Sequence, residues 1–537
     1  MTNLPIRGLG SVGVVTDVDP YNLPIEAFTR AKNVRFTEGK VSKGPVFRSV
    51  SGTLSFTPTF AYGITALSGY DTVLLVDNTF DVYEFSNGTS TQRYNSSLSS
   101  SIQKVTATTL ADVEYINRPD TGPIARTPSA TNFTALANWP SGYRATVLRS
   151  YGDFLLALGT VETNNVAYPN RVRFSDPVLA NQVPSTWDET DLTNSSGFND
   201  LVQMKTPIID GATLGPNFLI YSQDQVWMAE FVGGSFIFNF RKIFDDAGVL
   251  SQNCIVEVEG KHYVFDRDDI YITDGNSRQS ICDGRVREYI FSGLDNSKTE
   301  VCFVLHNTAL EEVYFCYHSG DDMATSTNGD ACNRAAVYNY KQNTWSFQDL
   351  PNVVSGSSAN VNSVFSYADA TTTYANVGGS YHDQESPYAQ HTLMVSKSHA
   401  GISSSIVNKV YGVDLVDMGN LSQAVDTVAS EPFFLERVGL DLDEMGIPLS
   451  GYKVINNIYP QISTVNPDGN FNFSFGAAAT PNATPTYTTS TVFNAVDGYK
   501  VDTRMSGRYM SYKLTSNNLK DFSFSGMDFE VVNTGRR

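Results

Sequence analysis

The chain has 537 residues, of which 41% are hydrophobic and 12% aromatic, enough for a sizeable core in roughly two to four domains. Its 37 Lys and Arg stand against 56 Asp and Glu, a net charge of −19. This balance argues against a protein that grips nucleic acid, because phosphate binding needs a basic surface. Ordinary solubility and a conduit along which DNA slides without sticking both remain open.

Composition favours an all-β fold. The chain is rich in Phe, Tyr, Thr, Val, Ser, Asn and Gly, and charged residues make up only 17%, which favours strands and turns over helices. The N-terminus shows no apolar signal-peptide core, and no stretch approaches the about 18 apolar residues of a membrane helix.

Residues 1–50 are predicted to form an extended N-terminal segment. A short helix is expected around 24–31, followed by a strand at 33–36 and a turn at 38–40.

Residues 51–424 are predicted to form a β-propeller-like body of about five or six blades. An apolar run, a short polar turn and a second aromatic run recur at 72–85, 218–231 and 262–275, a pattern typical of hairpins. Weaker members occur at 154–174, 313–347, 374–377 and 410–414. The later repeats are about 45–60 residues apart, close to the period of propeller blades. Polar insertions are expected near 98–140 and 176–206, and a pair of β-sandwiches is the alternative architecture.

Residues 425–537 are predicted to form a C-terminal β-sandwich. Alternating strands are expected at 433–442, 452–459, 507–514 and 522–532, with a loop rich in Ala, Thr and Pro at 477–491. The recurring hairpin pattern gives way to alternating strands near residue 425, and we place the domain boundary there.

Two motifs could suggest ligand chemistry. Residues 8–13 match GxGxxG, but only seven residues precede them and no helix opens at Gly13, so a dinucleotide site is not predicted. The acidic turns at 266–269 and 441–444 could suggest calcium, yet neither has both the glycine and the glutamate that an EF-hand loop requires. We interpret these aspartates as turn residues that bond their own backbone.

The cysteines and histidines do not suggest a metal or disulfide framework. The cysteines lack a CxxC pair and are interpreted as reduced core residues, and the histidines lack HExxH spacing. The cysteines are Cys254, Cys282, Cys302, Cys316 and Cys332, and the histidines are His262, His306, His318, His382, His391 and His399.

No catalytic, cofactor-binding or metal-binding residue is predicted. The chain has no GxSxG elbow, no Walker loop and none of the Ser-x-Asp-x-Gly-x-x-x-Trp turns of a sialidase-type propeller. A glycosidase needs two juxtaposed carboxylates, and 56 acidic residues leave such a pair open. The chain is therefore predicted not to be an enzyme, with a propeller glycosidase as an alternative.

Several segments together resemble the tail hub or nozzle proteins of short-tailed bacteriophages (podoviruses). The resemblance covers the chain broadly, although 98–140 matches no family segment. The segments are 8–10, 22–24, 31–36, 169–176 with Trp187, 219–227, 245–248, 263–275, 507–509 and 524–526.

The resemblance implies a structural virion protein made in the host bacterial cytoplasm. It implies a homo-oligomer, a hexameric ring with a central channel that retains and then ejects phage DNA, with a tail adaptor above it and fibres or spikes at its side. It implies no catalytic residue and no cofactor. From the residues we further expect an acidic lumen, with 98–140 and 477–491 as candidate gate or fibre-docking loops. A tail-tip receptor-binding adhesin remains the second alternative.

Overall fold

The computed structural model describes residues 2–65, 71–86, 88–96, 98–100, 104–191, 193–234, 236–321, 327–359, 391–414, 432–447, 451–464, 469–481, 483–516 and 522–533. About 53% of the described residues are in strands and 5% are in helices. The predicted all-β class is confirmed. The hairpin expected at 374–377 and His382 lie outside the described residues.

Five four-stranded antiparallel meanders follow one another along the chain. Buried strands rich in β-branched and aromatic residues pair with their neighbours, and short polar turns join most of the consecutive strands, as the hairpin pattern predicts. Blade 1 comprises β6 Pro58–Thr65, β7 Asp71–Asp77, β8 Val82–Ser86 and β9 Thr89–Tyr94; blade 2 comprises β10 Thr106–Leu110, β11 Val113–Asn117, β12 Ile124–Arg126 and β13 Thr134–Ala135. Blade 3 comprises β14 Arg144–Tyr151, β15 Phe154–Glu162, β16 Val166–Phe174 and β17 Gly197–Asp200; blade 4 comprises β18 Asp210–Leu214, β19 Asn217–Tyr221, β20 Val226–Phe231 and β21 Phe238–Phe244; blade 5 comprises β22 Ile255–Val258, β23 Lys261–Phe265, β24 Ile270–Thr273 and β25 Arg278–Ser280.

A seven-stranded sheet supplies two further blades because its longest strand serves both. The first half of β29 pairs with β28 and its second half pairs with β30, with register shifts on both sides of Val353. The sheet comprises β26 Phe303–Asn307, β27 Glu312–Tyr317, β28 Cys332–Asn339, β29 Thr344–Ala359, β30 His391–Ser396, β31 Lys409–Val413 and the N-terminal strand β5 Phe47–Ser49. Blade 6 comprises β26, β27, β28 and the first half of β29, and blade 7 comprises the second half of β29, β30, β31 and β5. Strand β5 is the outermost strand of blade 7 and closes the ring.

The body is therefore a seven-bladed propeller, which corrects the expected count of five or six blades. Residues from seven inner strands line one axial cavity: Tyr62, Thr108, Arg149, Asp210, Glu257, Val304 and Ser355. Most of the insertion expected near 98–140 is blade 2, whose short strands and polar turns hide its period. The insertion near 176–206 is the long connection between β16 and β17 together with β17 itself.

The remaining strands form a two-sheet sandwich. One sheet has the order β3-β4-β39-β33-β37, with β1 added on β39, and the other has the order β2-β32-β38-β34-β35, with β36 added on β34. The strands are β1 Thr2–Arg7, β2 Arg30–Lys32, β3 Val34–Thr37, β4 Lys40–Lys43, β32 Phe433–Leu440, β33 Lys453–Thr464, β34 Asn470–Ala478, β35 Thr486–Tyr487, β36 Thr491–Asn494, β37 Val501–Gly507, β38 Tyr509–Ser516 and β39 Phe522–Asn533.

The N-terminal segment is part of both domains rather than a separate unit, which corrects the predicted boundary at residue 50. Strands β1 to β4 belong to the sandwich and β5 belongs to the propeller. Around 24–31 there is no helix: Phe28 forms a bridge with Val14, and β2 begins at Arg30. The extended conformation is more stable than a short helix there, because neighbouring strands supply backbone hydrogen-bond partners that a single helical turn would lack.

The two domains share a hydrophobic core. One continuous cluster includes Phe36 of the sandwich, Trp345 of blade 6 and Phe265 of blade 5. The N-terminal segment runs along the free edge of β29, where Val14 N donates to Trp345 O and Asn33 N donates to Phe347 O. The sandwich is thus fixed to the outer edge of blade 6.

Helices are few in the described ranges. The α-helix α1 spans Arg287–Gly293, and single 3-10 turns occur at Pro20–Asn22, Thr163–Asn165, Asn296–Val301 and Asp443–Met445. None of the helices in these ranges has the length and apolarity needed to cross a membrane.

Candidate functional site

The propeller axis carries two cavities that meet at a polar partition. The first, about 480 Å³, is lined by the seven inner strands. The second, about 620 Å³, is lined by the connections between blades, including Lys104, Lys298 and Lys397. Asn253, Phe60, Phe303 and Ser355 line both cavities.

Arg149 forms the centre of this partition. Its guanidinium makes a bidentate pair with Asp210, with Nε to Oδ1 at 3.0 Å and Nη2 to Oδ2 at 2.9 Å. It also donates to Asn253 Oδ1 at 2.9 Å and to Ala107 O at 3.1 Å. One side chain therefore joins blades 2, 3 and 4 and the connection into blade 5.

Asn253 and Lys104 complete the partition. Asn253 N donates to the second Asp210 oxygen at 2.8 Å, and its amide donates to Val105 O at 3.1 Å. Lys104 Nζ crosses from the blade 1–2 connection to Cys302 O at 2.6 Å and to Gln252 O. We call Arg149, Asp210, Asn253 and Lys104 the axial latch.

The charges of Arg149 and Asp210 stabilise the latch. The Asp210 side chain is 2% exposed. Burial opposes the charged guanidinium, but the Asp210 carboxylate outweighs burial and raises the pKa of Arg149. A bidentate pair in this setting is a strong, directional interaction.

A second polar link joins blades 4 and 5. Tyr221 Oη lies 2.8 Å from His262 Nδ1, and His262 Nε2 lies 2.8 Å from Thr213 O. A neutral imidazole satisfies both contacts by donating from Nε2 and accepting at Nδ1. Burial lowers the pKa of His262 to about 4, so this histidine is uncharged at neutral pH.

Most arginines in the described ranges are bound to carboxylates. In blade 3, Glu162 accepts from Arg171 at 2.8 Å and from Arg173 at 3.1 Å, and the Arg171 guanidinium stacks between Tyr168 and Phe198. Further pairs join Arg35 to Glu312, Arg93 to Glu84, Arg118 to Asp120, Arg126 to Glu114, Arg241 to Glu230, Arg278 to Asp246 and Arg287 to Asp283. Each pair cancels one positive and one negative charge, so the net charge of −19 is carried by the remaining carboxylates of the chain.

The GxGxxG match at 8–13 has a structural explanation. Gly8 has φ +67° and its N donates to Ser525 O at 3.0 Å. A Cβ on Gly10 would lie 2.1 Å from Lys40 O, and Gly13 has φ +78° against Trp345. The glycines therefore permit close backbone approach, and no helix follows them.

The two acidic turns are occupied by backbone hydrogen bonds. Asp266 Oδ2 accepts from Gly248 N at 3.0 Å and Oδ1 accepts from Arg267 N at 2.7 Å. Burial raises the pKa of Asp266 to about 6. Asp441 Oδ1 accepts from Asp443 N at 3.1 Å. Both turns are thus organised by their own chain.

The five cysteines are free and buried, as the sequence predicts. His262 and His318 are buried among hydrogen-bond partners, since His318 Nδ1 lies 2.6 Å from Ala331 O and its Nε2 lies 2.9 Å from Lys298 Nζ. Within the described ranges, no group of His, Cys, Asp and Glu is arranged to hold a metal ion.

The two predicted gate segments differ from open loops. Residues 106–135 within 98–140 form blade 2. In 477–491, β35 pairs with β34, and Tyr487 Oη donates to Glu436 Oε1 at 2.6 Å. Glu436 also accepts from Lys513 at 3.2 Å. These contacts hold the second segment against the sandwich.

The axial latch is the feature that sequence reasoning missed. Its signal in the sequence is a charged residue, Arg149, that directly follows the apolar pair Val147 and Leu148. The partners Asp210 and Asn253 lie 61 and 104 residues further along the chain. Only the closure of the ring brings them together.

Comparisons with known proteins bear on fold alone. No protein-family model matches the chain, and no curated protein matches it.

Solved structures with some likeness are propellers. YCF48 bound to D1 peptide is 8% identical, with TM-score 0.32 over 55% of this chain and 84% of that one. The WD40 β-propeller domain of Doa1 is 10% identical, with TM-score 0.35 over 70% and 97%. BamB from Moraxella catarrhalis is 10% identical, with TM-score 0.31 over 56% and 78%. The assignment of the fold therefore rests on the strand topology of the chain itself.

Proposed function

We propose that this protein is a non-enzymatic structural subunit of a phage tail hub or nozzle, which surrounds the path of the ejected genome. The observation that carries the proposal is the distribution of charge. The chain has a net charge of −19, and its described arginines are largely paired with carboxylates inside the subunit. A wall of this kind offers phosphates few cations, so DNA passes along it without strong contacts.

The build of the subunit agrees with a load-bearing role. The propeller axis is closed by the axial latch, and the sandwich shares its core with blades 5 and 6. The axial latch and the Tyr221–His262–Thr213 link join neighbouring blades through hydrogen bonds, as expected of a rigid ring subunit.

The geometry of the axis also limits where DNA would pass. The axial cavities are small, at about 480 and 620 Å³. A duplex cannot cross the propeller along this line. In the proposed assembly, the genome therefore passes between subunits, through a central opening that several copies surround.

The first test is the mass of the purified full-length chain, alone and with the tail adaptor of the same phage particle, by native mass spectrometry. The monomer is 58.9 kDa. We expect a species of about six times that mass, since closed rings are the usual outcome of head-to-tail contacts that close by rotation. A chain that stays monomeric with the adaptor contradicts the proposal.

A second measurement addresses the lumen. We expect the assembled protein to leave linear duplex DNA unshifted in gel electrophoresis even at low salt, where phosphate contacts are strongest. Saturable binding to host cells by a stable trimer would instead favour an adhesin. Release of sugars from capsule or lipopolysaccharide would favour a glycosidase.

A further inference from the structure

The second axial cavity has the size and the walls of a small-molecule site. It measures about 620 Å³, and ligand cavities in proteins commonly measure about 300–1,000 Å³. Five apolar side chains line it, of which Phe60, Val105 and Phe303 are at most 8% exposed. Apolar walls that surround a few polar groups are typical of sites for small organic molecules.

Three lysines also line this cavity, and two of them are neutralised by carboxylates. Lys397 Nζ lies 2.6 Å from Asp330 Oδ2, and Lys298 Nζ lies 3.4 Å from Asp295 Oδ2. The positive charges of these two lysines are therefore balanced within the subunit. The third lysine is Lys104.

Lys104 brings an unbalanced positive charge to the cavity. Its ammonium group donates to Cys302 O at 2.6 Å and to Gln252 O, which are both neutral acceptors. Among the described residues it forms no ion pair with a carboxylate. An ammonium group has three N–H donors, so the two carbonyl bonds leave one donor for a ligand in the cavity that Lys104 lines.

The neighbouring charges do not cancel that of Lys104. At the partition between the cavities, Arg149 and Asp210 neutralise each other through their bidentate pair. Glu300, the other carboxylate of the lining, is exposed to solvent and forms no ion pair with Lys104 in the described ranges. Because a charge-assisted hydrogen bond is about twice as strong as a neutral one, the cavity favours an anionic group beside Lys104.

We propose that the second axial cavity binds a small organic anion, whose carboxylate or phosphate group pairs with Lys104 and whose apolar part lies against the phenylalanine and valine walls. The bound anion supplies the negative charge that the described part of the subunit does not provide to this lysine. The inference stands on the cavity and its charges, and it does not depend on the proposed ring.

Benzoate and benzamide are matched probes for this site, because they share an aromatic ring and differ in charge. In calorimetric titrations of the full-length wild-type protein, we expect benzoate to bind saturably. Benzamide should bind about tenfold more weakly or worse, since it cannot form the charge-assisted hydrogen bond. Equal binding of the two probes overturns the proposal.

Phenyl phosphate distinguishes the two classes of anion. Tighter binding than that of benzoate assigns the cavity to phosphate esters, and weaker binding assigns it to carboxylates. The absence of saturable binding by both anions overturns the proposal.

Two substitutions with opposite expected effects test whether the anion occupies this cavity. Lys104→Met should weaken binding about tenfold or more, whereas Glu300→Gln removes a negative charge from the lining and should strengthen it. Lys341→Met is the control, because it removes one positive charge but Lys341 lines neither axial cavity. Unchanged binding in Lys104→Met, or an equal loss in Lys341→Met, overturns the site.

The Glu300→Gln variant also decides the outcome if Lys104→Met does not fold. Lys104 joins two connections between blades through its carbonyl bonds, whereas the exposed Glu300 has no such role in the described structure. A melting scan identifies the folded variants. Tighter anion binding by folded Glu300→Gln supports the site, and unchanged or weaker binding overturns it.

Discussion

Arg149 shows how one residue holds several blades. The Arg149→Met substitution leaves the buried Asp210 side chain without its cationic partner, so we expect a loss of about 3–5 kcal/mol in the free energy of unfolding. Urea denaturation monitored by fluorescence measures this loss. The double variant Arg149→Met with Asp210→Leu removes both charges and should recover much of the stability. Equal losses in the single and double variants would contradict a role for the ion pair.

His262 predicts a pH dependence with a defined sign. Its folded-state pKa is lowered to about 4 from 6.5, so the unfolded chain binds the proton more readily. This residue's contribution is present above pH 6.5 and is lost as the pH falls toward 4, by about 3 kcal/mol in total.

The His262→Gln variant isolates this contribution, because glutamine also donates one hydrogen bond and accepts another. Stability curves of wild type and variant should converge as the pH falls from 6.5 to 4. Parallel curves over that window would show that His262 does not titrate as expected.

Among residues, the sequence predicts local roles better than partners. It identifies the buried cysteines and the aspartates that organise turns, because these roles depend on neighbours along the chain. It does not predict that Arg149 meets Asp210, or that Phe236 is exposed while Phe238, two residues away, is buried. The ion pair depends on the closure of the ring, and the exposure of a side chain depends on which neighbouring elements cover it.

Strand β1 supports the sandwich at the level of elements. It pairs with β39 from Thr2 to Arg7 and buries Leu4 and Ile6, which are 6% and 1% exposed. Each buried side chain of this size contributes about 1.5–3 kcal/mol. We therefore expect Leu4→Asp with Ile6→Asp to cost at least about 3 kcal/mol and to raise hydrogen exchange along β39.

The matched control for β1 is Asn3→Asp, which introduces a carboxylate on the exposed side of the same strand. It should leave stability within about 0.5 kcal/mol of wild type. If both variants behave alike, β1 is not a stabilising strand.

The elements most easily predicted are hairpins with a strong apolar period, such as β7–β8, β19–β20 and β23–β24. The strand predicted at 33–36 is β3, but blade 2 and the other N-terminal strands are missed because their strands are short or polar, and many of their pairing partners are distant in sequence. Strand β5 illustrates the point, since Phe47 pairs with Val413 at the other end of the propeller. Local pattern carries no information about such pairing.

The shared core predicts cooperative unfolding of the whole molecule. Chains of this size usually unfold domain by domain, but here one cluster runs from the sandwich into blades 5 and 6. We expect one dominant calorimetric transition for the full chain. Two well-separated transitions would show that the domains are energetically independent.

Asn33 offers a way to test this coupling. It has φ +58°, and its side chain bonds Asp349 N at 2.9 Å, Asp349 Oδ2 at 3.0 Å and Pro432 O at 2.8 Å. Asn33→Gly keeps a backbone that tolerates this φ and removes all three bonds. We expect this variant to lower or split the transition.

The sequence by itself determined the all-β class, the hairpin repeats and the net negative charge, because composition and alternation act between near neighbours. The tertiary structure alone decided the seven blades, the division of the N-terminal segment between two domains and the axial latch. Each of these depends on contacts between residues hundreds of positions apart, and the cost of closing such loops is repaid only when the whole ring forms.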